Sequence, residues 1–275
     1  MPIIDFHVHA GKYHLLRDDI QALLQRKLHA PSEEASALFS NPARLEAHLR
    51  SLGVDRAIVL AECGPGTNFS IDSAMIAEFC SGSSLLIPFG NINPCHHDVR
   101  TEFDKSLTLG IRGFKFYPAD HGYDPFSTEM KHVYCECAER GLPVMFHTGL
   151  SAQRDASQLY IRPREFEPLC RGLPGLIAIL AHAGRPNWFE DACQMALEYP
   201  NLYLDTGLLR AEEIERCLSF APSVRHKLLF GSDWPICGSY STHIAELSGG
   251  GISPDSEPEL FFSNARALLD RMRIA

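Results

Sequence analysis

Ile3-Ile4-Asp5-Phe6-His7-Val8-His9 is a short apolar run that finishes in two histidines one residue apart. Side chains of an extended strand alternate between its faces, so His7 and His9 share a side and Val8 packs away from them. Seven further runs rich in β-branched residues follow: Arg56 to Ala61, Leu85 to Ile92, Gly113 to Tyr117, Pro143 to His147, Leu176 to His182, Leu202 to Asp205 and Lys227 to Asp233. After the first, the runs lie roughly 25 to 35 residues apart, the length that a strand, a helix and two loops require. The intervals carry helical periodicity: Met130, Val133, Tyr134 and Cys137 recur at three and four residues before the stop Gly141-Leu142-Pro143. Apolar strands alternating with helices predict a parallel sheet covered on both faces. Eight such units predict an α/β fold, a (β/α)8 TIM barrel, as one domain over residues 1–275.

Two stretches break the rhythm. The interval from Ala10 to Val54 holds a helical pattern at Asp18 to Leu28 and a polar break at Pro31-Ser32-Glu33-Glu34, and reads as a loop inserted over the barrel mouth at about residues 10–53. The Gly- and Ser-rich stretch Ile236 to Pro258 reads as a second mouth loop, because too few residues follow it to form a domain.

Bulk properties exclude several classes. A net charge of −9 with no Lys/Arg-rich run argues against nucleic acid as a partner. No stretch approaches the ~18 consecutive apolar residues of a membrane span, and Met1-Pro2-Ile3-Ile4-Asp5 lacks the pattern of a signal peptide, so a cytoplasmic protein with no membrane partner is expected. The nine cysteines follow no framework spacing and are expected to be reduced; Cys135 and Cys137 sit about 200° apart on a helix with no partner pair.

In a barrel of this kind the site lies at the carboxyl ends of the strands, so the polar residues that end each run matter most. The first run ends in His7 and His9, the fourth includes Lys115, the fifth ends in His147, the sixth in His182 and the eighth in Asp233. Each is a competent metal ligand or proton carrier. Three imidazoles and a carboxylate suit Zn²⁺ with one position left for water, whose pKa can fall to about 7. Asp233 can alternatively cap the turn before Pro235, and His182 can cap its strand on a backbone carbonyl. Arg154, Arg162 and Arg185 follow the fifth and sixth runs, where a guanidinium can clamp a carboxylate. Glu62, Asn68, His121 and Trp234 also follow strand ends, whereas His14, His96, His97 and His132 read as solvated.

Several segments together resemble the amidohydrolase superfamily, and within it the amidohydrolase-related branch of aminocarboxymuconate-semialdehyde decarboxylase-like metal-dependent hydrolases. They are Ile4 to His9, Gly110-Ile111-Arg112-Gly113-Phe114-Lys115, Val144-Met145-Phe146-His147, Ala181-His182-Ala183-Gly184, Asn201 to Asp205, Gly231-Ser232-Asp233-Trp234-Pro235 and Asn264-Ala265-Arg266-Ala267-Leu268-Leu269. The resemblance implies that His7, His9, His147 and Asp233 bind a divalent metal, usually zinc, and that His182 and Asp233 are catalytic. It implies hydrolysis of a small, anionic organic molecule through metal-bound hydroxide, with non-oxidative decarboxylation of an aromatic or muconate-type acid as the alternative. Lys115 is then either a substrate-carboxylate ligand beside one ion, the favoured arrangement, or a carboxylated bridge between two. A homodimer is compatible with the resemblance.

Overall fold

A computed structural model describes residues 1–64, 67–151 and 157–272. The eight predicted strands are present in order: β1 (Ile3–Val8), β2 (Val54–Leu60), β3 (Leu86–Phe89), β4 (Phe114–Phe116), β5 (Val144–His147), β6 (Ala178–Ala181), β7 (Leu202–Asp205) and β8 (Leu228–Leu229). All pairings are parallel, in the sequential orders β1-β2-β3 and β4 through β8. Parallel bridges cross both seams between these groups, Gly90 to Phe114 and Val8 to Trp234. At the second seam Phe6 N donates to Phe230 O at 2.8 Å, His9 N to Trp234 O at 2.7 Å, and Asp233 N to His7 O at 2.8 Å. The backbone beyond β8 is thereby tied to the end of β1, which brings Asp233 beside the two histidines.

Alternation along the strands divides the apolar side chains into two layers. Ile58, Leu60, Ile87, Phe89, Met145, Ile179 and Leu229 form one cluster, whereas Ala57, Val59, Val144, Phe146, Ala178 and Leu180 pack with the surrounding helices. The helix Thr128–Arg140 buries Met130, Val133, Tyr134 and Cys137, the four residues that its periodicity selects.

β1 departs from regular pleating. Asp5 pairs with Ala57 and Val8 with Val59, so three steps on β1 oppose two on β2, a β-bulge. Consequently Phe6 joins the first cluster while its neighbour His7 still reaches the site. Asp5 secures this kink: its Oδ1 accepts from His7 N at 2.9 Å and from Ser232 N at 3.0 Å.

Both stretches read as mouth loops are more ordered than expected. Residues 10–53 contain the helices Asp18–Leu28, Ser32–Ser40 and Pro42–Ser51. The polar break is a helix start, with Pro31 at the N-cap and Glu33 and Glu34 in the first turn, where acidic side chains face the positive helix end. Ile20 and Leu23 of the first of these helices do cover the mouth. In the second stretch Ile236 reaches the mouth, and a helix, Tyr240–Gly249, follows. Among the described residues no helix is long and apolar enough to cross a membrane.

Candidate active site

The carboxyl ends of the strands surround a small cavity of about 110 Å³, and its lining includes His7, His9, His147, His182, Arg185 and Asp233. Two of these residues sit at backbone positions with positive φ, His182 at 62° and Asp233 at 58°. Left-handed conformations at non-glycine residues cost of order 1 kcal/mol or more and persist where the surroundings over-determine them. Here the surroundings are hydrogen bonds: Ile236 N donates to Asp233 O at 2.8 Å, and His182 N donates to Asp205 Oδ1 at 3.1 Å. The side chain of Asp233 caps no helix; it faces the histidines.

His7, His9 and Asp233 offer three buried ligand atoms within 4.8 Å of one another. Asp233 Oδ1 lies 3.3 Å from His9 Nε2 and 3.6 Å from His7 Nε2. The rings of His9 and Phe69 stack at 4.1 Å, which fixes the imidazole plane. His147 stands apart from this trio, with its Nδ1 3.2 Å from His182 Nε2.

Hydrogen bonding assigns the imidazole tautomers. His182 Nδ1 lies 2.9 Å from the carbonyl of Gly207, which can only accept, so Nδ1 carries the proton. Nε2 of His182 is then an acceptor and takes the Nδ1 proton of His147, leaving the Nε2 lone pair of His147 buried and unpartnered. By the same reasoning His7 Nδ1, 3.1 Å from Asp205 Oδ1, donates, and its Nε2 lone pair turns toward Asp233. Asp205 is fully buried and also accepts from Gly207 N at 2.9 Å. A carboxylate behind a histidine in this manner orients the ring and raises its basicity as a ligand.

Burial, reinforced by neighbouring cations, holds His7, His147 and His182 well below the ordinary histidine pKa, so all three are neutral and have lone pairs to offer. Burial opposes ionisation of Asp233, yet its carboxyl is held below the usual range, with the Lys115 cation among the causes. Burial lowers Lys115 to about 8. Its Nζ lies 3.6 Å from Met145 Sδ and 5.1 Å from the centre of the Tyr117 ring. Lys115 is not among the residues that line the cavity, yet its charge acts on His7, His147, His182 and Asp233.

Of the arginines, Arg185 lines the cavity, Arg162 lies over the Trp188 ring at 5.7 Å, and Arg154 falls outside the described residues. The site also contains residues to which sequence reasoning gave no role. Asp205 is one, although as the polar end of β7 it satisfied the strand-end criterion that selected the others. Asp120 and Tyr117 are two more, and with Glu62 they form one wall of the cavity. Burial raises Glu62 to about 8 and Asp120 to about 6, with Asp120 adding to the shift of Glu62.

The amidohydrolase family model matches residues 4–271. No curated protein matches the chain in sequence. Similar solved structures include an uncharacterized TIM-barrel protein of Bordetella bronchiseptica, 22% identical with a TM-score of 0.79, covering 99% of this chain and 100% of that one. Another is a probable 2-pyrone-4,6-dicarboxylic acid hydrolase of Acinetobacter baumannii with citric acid bound, 14% identical with a TM-score of 0.65, covering 98% and 100%. A third is the 5-carboxyvanillate decarboxylase of Novosphingobium aromaticivorans complexed with manganese and 4-hydroxy-3-methoxy-5-nitrobenzoic acid, 14% identical with a TM-score of 0.66, covering 98% and 96%. At these identities the likeness to solved structures establishes the TIM-barrel fold.

Proposed function

The chain belongs to the amidohydrolase family, and from that premise we propose that this enzyme is a metal-dependent hydrolase of a small, carboxylate-bearing organic molecule. The observation that carries the proposal is the buried trio His7, His9 and Asp233, with Asp233 Oδ1 and the nearby His147 Nε2 both buried and without a hydrogen-bond partner. Buried polar atoms of this kind are costly unless something satisfies them, and a divalent cation fits the donors. Imidazole and carboxylate together suit Zn²⁺, and Mn²⁺ is the ion named with the decarboxylase neighbour. A cation held there supplies Lewis acidity, which makes water a proton donor near neutral pH and polarises a substrate carbonyl.

The chain's own groups divide the remaining work. His7, His9, His147 and Asp233 hold the ion, and Asp205 and His182 fix the rings of His7 and His147 from behind. The carboxylate of Asp233 takes the proton of the attacking water on the oxygen not given to the ion and returns it to the leaving group. Both ring nitrogens of His182 are engaged, which makes it a positioning residue rather than a base. Asp205 spends its oxygens on His7, His182 N and Gly207 N, so the second buried grouping, His7, His182 and Asp205, functions as support and one ion is held, not two. Arg185 binds the substrate carboxylate.

Metal-loaded protein assayed in ¹⁸O-water against small lactones, amides and aromatic carboxylic acids tests the reaction. Incorporation of ¹⁸O into product, lost in Asp233→Asn, is expected. Release of CO2 without ¹⁸O incorporation would establish decarboxylation on the same residues instead.

A further inference from the structure

The cavity wall formed by Glu62, Asn68, Tyr117 and Asp120 has no task in holding the ion, and it is rich in acceptor oxygens. Glu62 is 2% exposed, and among the described residues its carboxyl has one hydrogen bond, accepted at Oε1 from Asn68 N at 3.0 Å. Tyr117 is 3% exposed, and its hydroxyl has no partner although it lines the cavity. Among the described residues Asn68 Oδ1 and Asp120 Oδ1 are also buried without partners, although the Asp120 carboxyl is hydrogen-bonded by Ser151. Lys115 Nζ contacts Met145 Sδ and lies over the Tyr117 ring, and it reaches Glu62 and Asp120 through its charge rather than through a hydrogen bond.

Two carboxyl side chains therefore face the substrate besides Asp233, against one guanidinium, that of Arg185, among the described lining residues. A dianionic substrate placed with one carboxylate on Arg185 would set its other end against the Asp120 carboxylate and against Glu62, whose carboxyl is raised to about 8 by burial and the charge of Asp120. A group with several N–H donors and a positive charge would instead satisfy the acceptors and relieve the repulsion between the two carboxyls.

Building on the hydrolase reading, we propose that the substrate is an amino acid-like zwitterion, with its carboxylate on Arg185 and its ammonium against Glu62, Asn68, Tyr117 and Asp120. The cavity volume of about 110 Å³ restricts the bound portion to a few carbons. The three protons of an ammonium match the number of carboxyl and phenol groups on the wall, and the same wall rejects a dicarboxylate of equal length.

Three probes of matched size separate the alternatives: 4-aminobutanoate, butanoate and glutarate, each titrated calorimetrically into metal-loaded protein. 4-Aminobutanoate should bind at least ~10-fold more tightly than the other two, the scale of one charge-assisted hydrogen-bonded contact. In the double variant Glu62→Gln/Asp120→Asn that preference should vanish while butanoate binding persists, and Asp120→Asn alone should reduce it if the double variant is unstable. Equal or tighter binding of glutarate, a preference unchanged in the variants, or binding of none of the probes overturns the proposal. Metal content measured on the same samples separates the two readings, since loss of the ion from wild type counts against the hydrolase site and not against the polarity of the wall.

Discussion

His147 presents Nδ1 to Nε2 of His182 at 3.2 Å, and the direction of that bond decides which nitrogen of His147 faces the cavity. Because Gly207 O fixes the proton on His182 Nδ1, the bond runs from His147 to His182 and leaves His147 Nε2 as a lone-pair donor. His182→Ala is expected to weaken metal binding by roughly 10- to 100-fold, as loss of an orienting partner does. The pH profile of kcat/KM should keep its acid limb. A variant that binds metal as wild type does but loses that limb would make His182 the base.

Asp205 performs the same service for His7 across 198 residues of chain. Asp205→Asn keeps an acceptor oxygen but removes the negative charge that raises the basicity of His7 as a ligand, so metal affinity should fall by about 10- to 100-fold, read by competition with a chelator. Unchanged affinity would remove Asp205 from the account.

Gly231 has no room for a side chain. A Cβ there would stand 2.2 Å from Asp205 Oδ2 and 2.9 Å from His7 Cβ, whereas a Cβ at Gly175 meets nothing within 4 Å. Gly231→Ala should therefore cost about 1–3 kcal/mol in denaturant unfolding and lower metal affinity, while Gly175→Ala stays within ~0.5 kcal/mol of wild type. Equal stability of the two variants would contradict the close packing of Gly231 against Asp205 and His7.

Glu62 imposes a pH dependence on the metal-free protein. Its folded pKa of about 8 exceeds the ordinary 4.5, so the folded state favours the protonated form. The stability it contributes is fully present below about 4.5 and is lost as pH rises through about 8. Relative to wild type, Glu62→Gln should gain Tm progressively across that window and level off above it. Asp5 shifts in the same direction but is common to both proteins, whereas Asp120 is coupled to Glu62, so the difference reports Glu62 together with its coupling to Asp120. A Tm difference independent of pH would show that Glu62 is not buried as described.

Strands and their order were legible because each is buried on both faces and therefore reads as an apolar run, from Ile3–Val8 to Leu228–Leu229. The helix Ser32–Ser40 was not, because its polar first turn resembles a loop until Pro31 is recognised as its cap. The bulge in β1 is invisible locally, since it exists only in register against β2. Strand-end position identified His7, His9, His147, His182 and Asp233, all of which line the cavity. It could not assign duties among them: the role of His182 follows from Gly207 O, 25 residues onward, and that of Asp205 from His7. The burial of Lys115 beside Tyr117 was equally illegible, because it depends on tertiary packing.

Metal stoichiometry tests the central claim most directly. Protein equilibrated with Zn²⁺ or Mn²⁺ and freed of excess ion should contain about one ion per chain by elemental analysis, and His9→Ala and Asp233→Ala should contain none while retaining the circular dichroism of the folded barrel. Wild type without metal, or folded variants that keep a full equivalent, would contradict the assignment of His7, His9, His147 and Asp233 as the metal site.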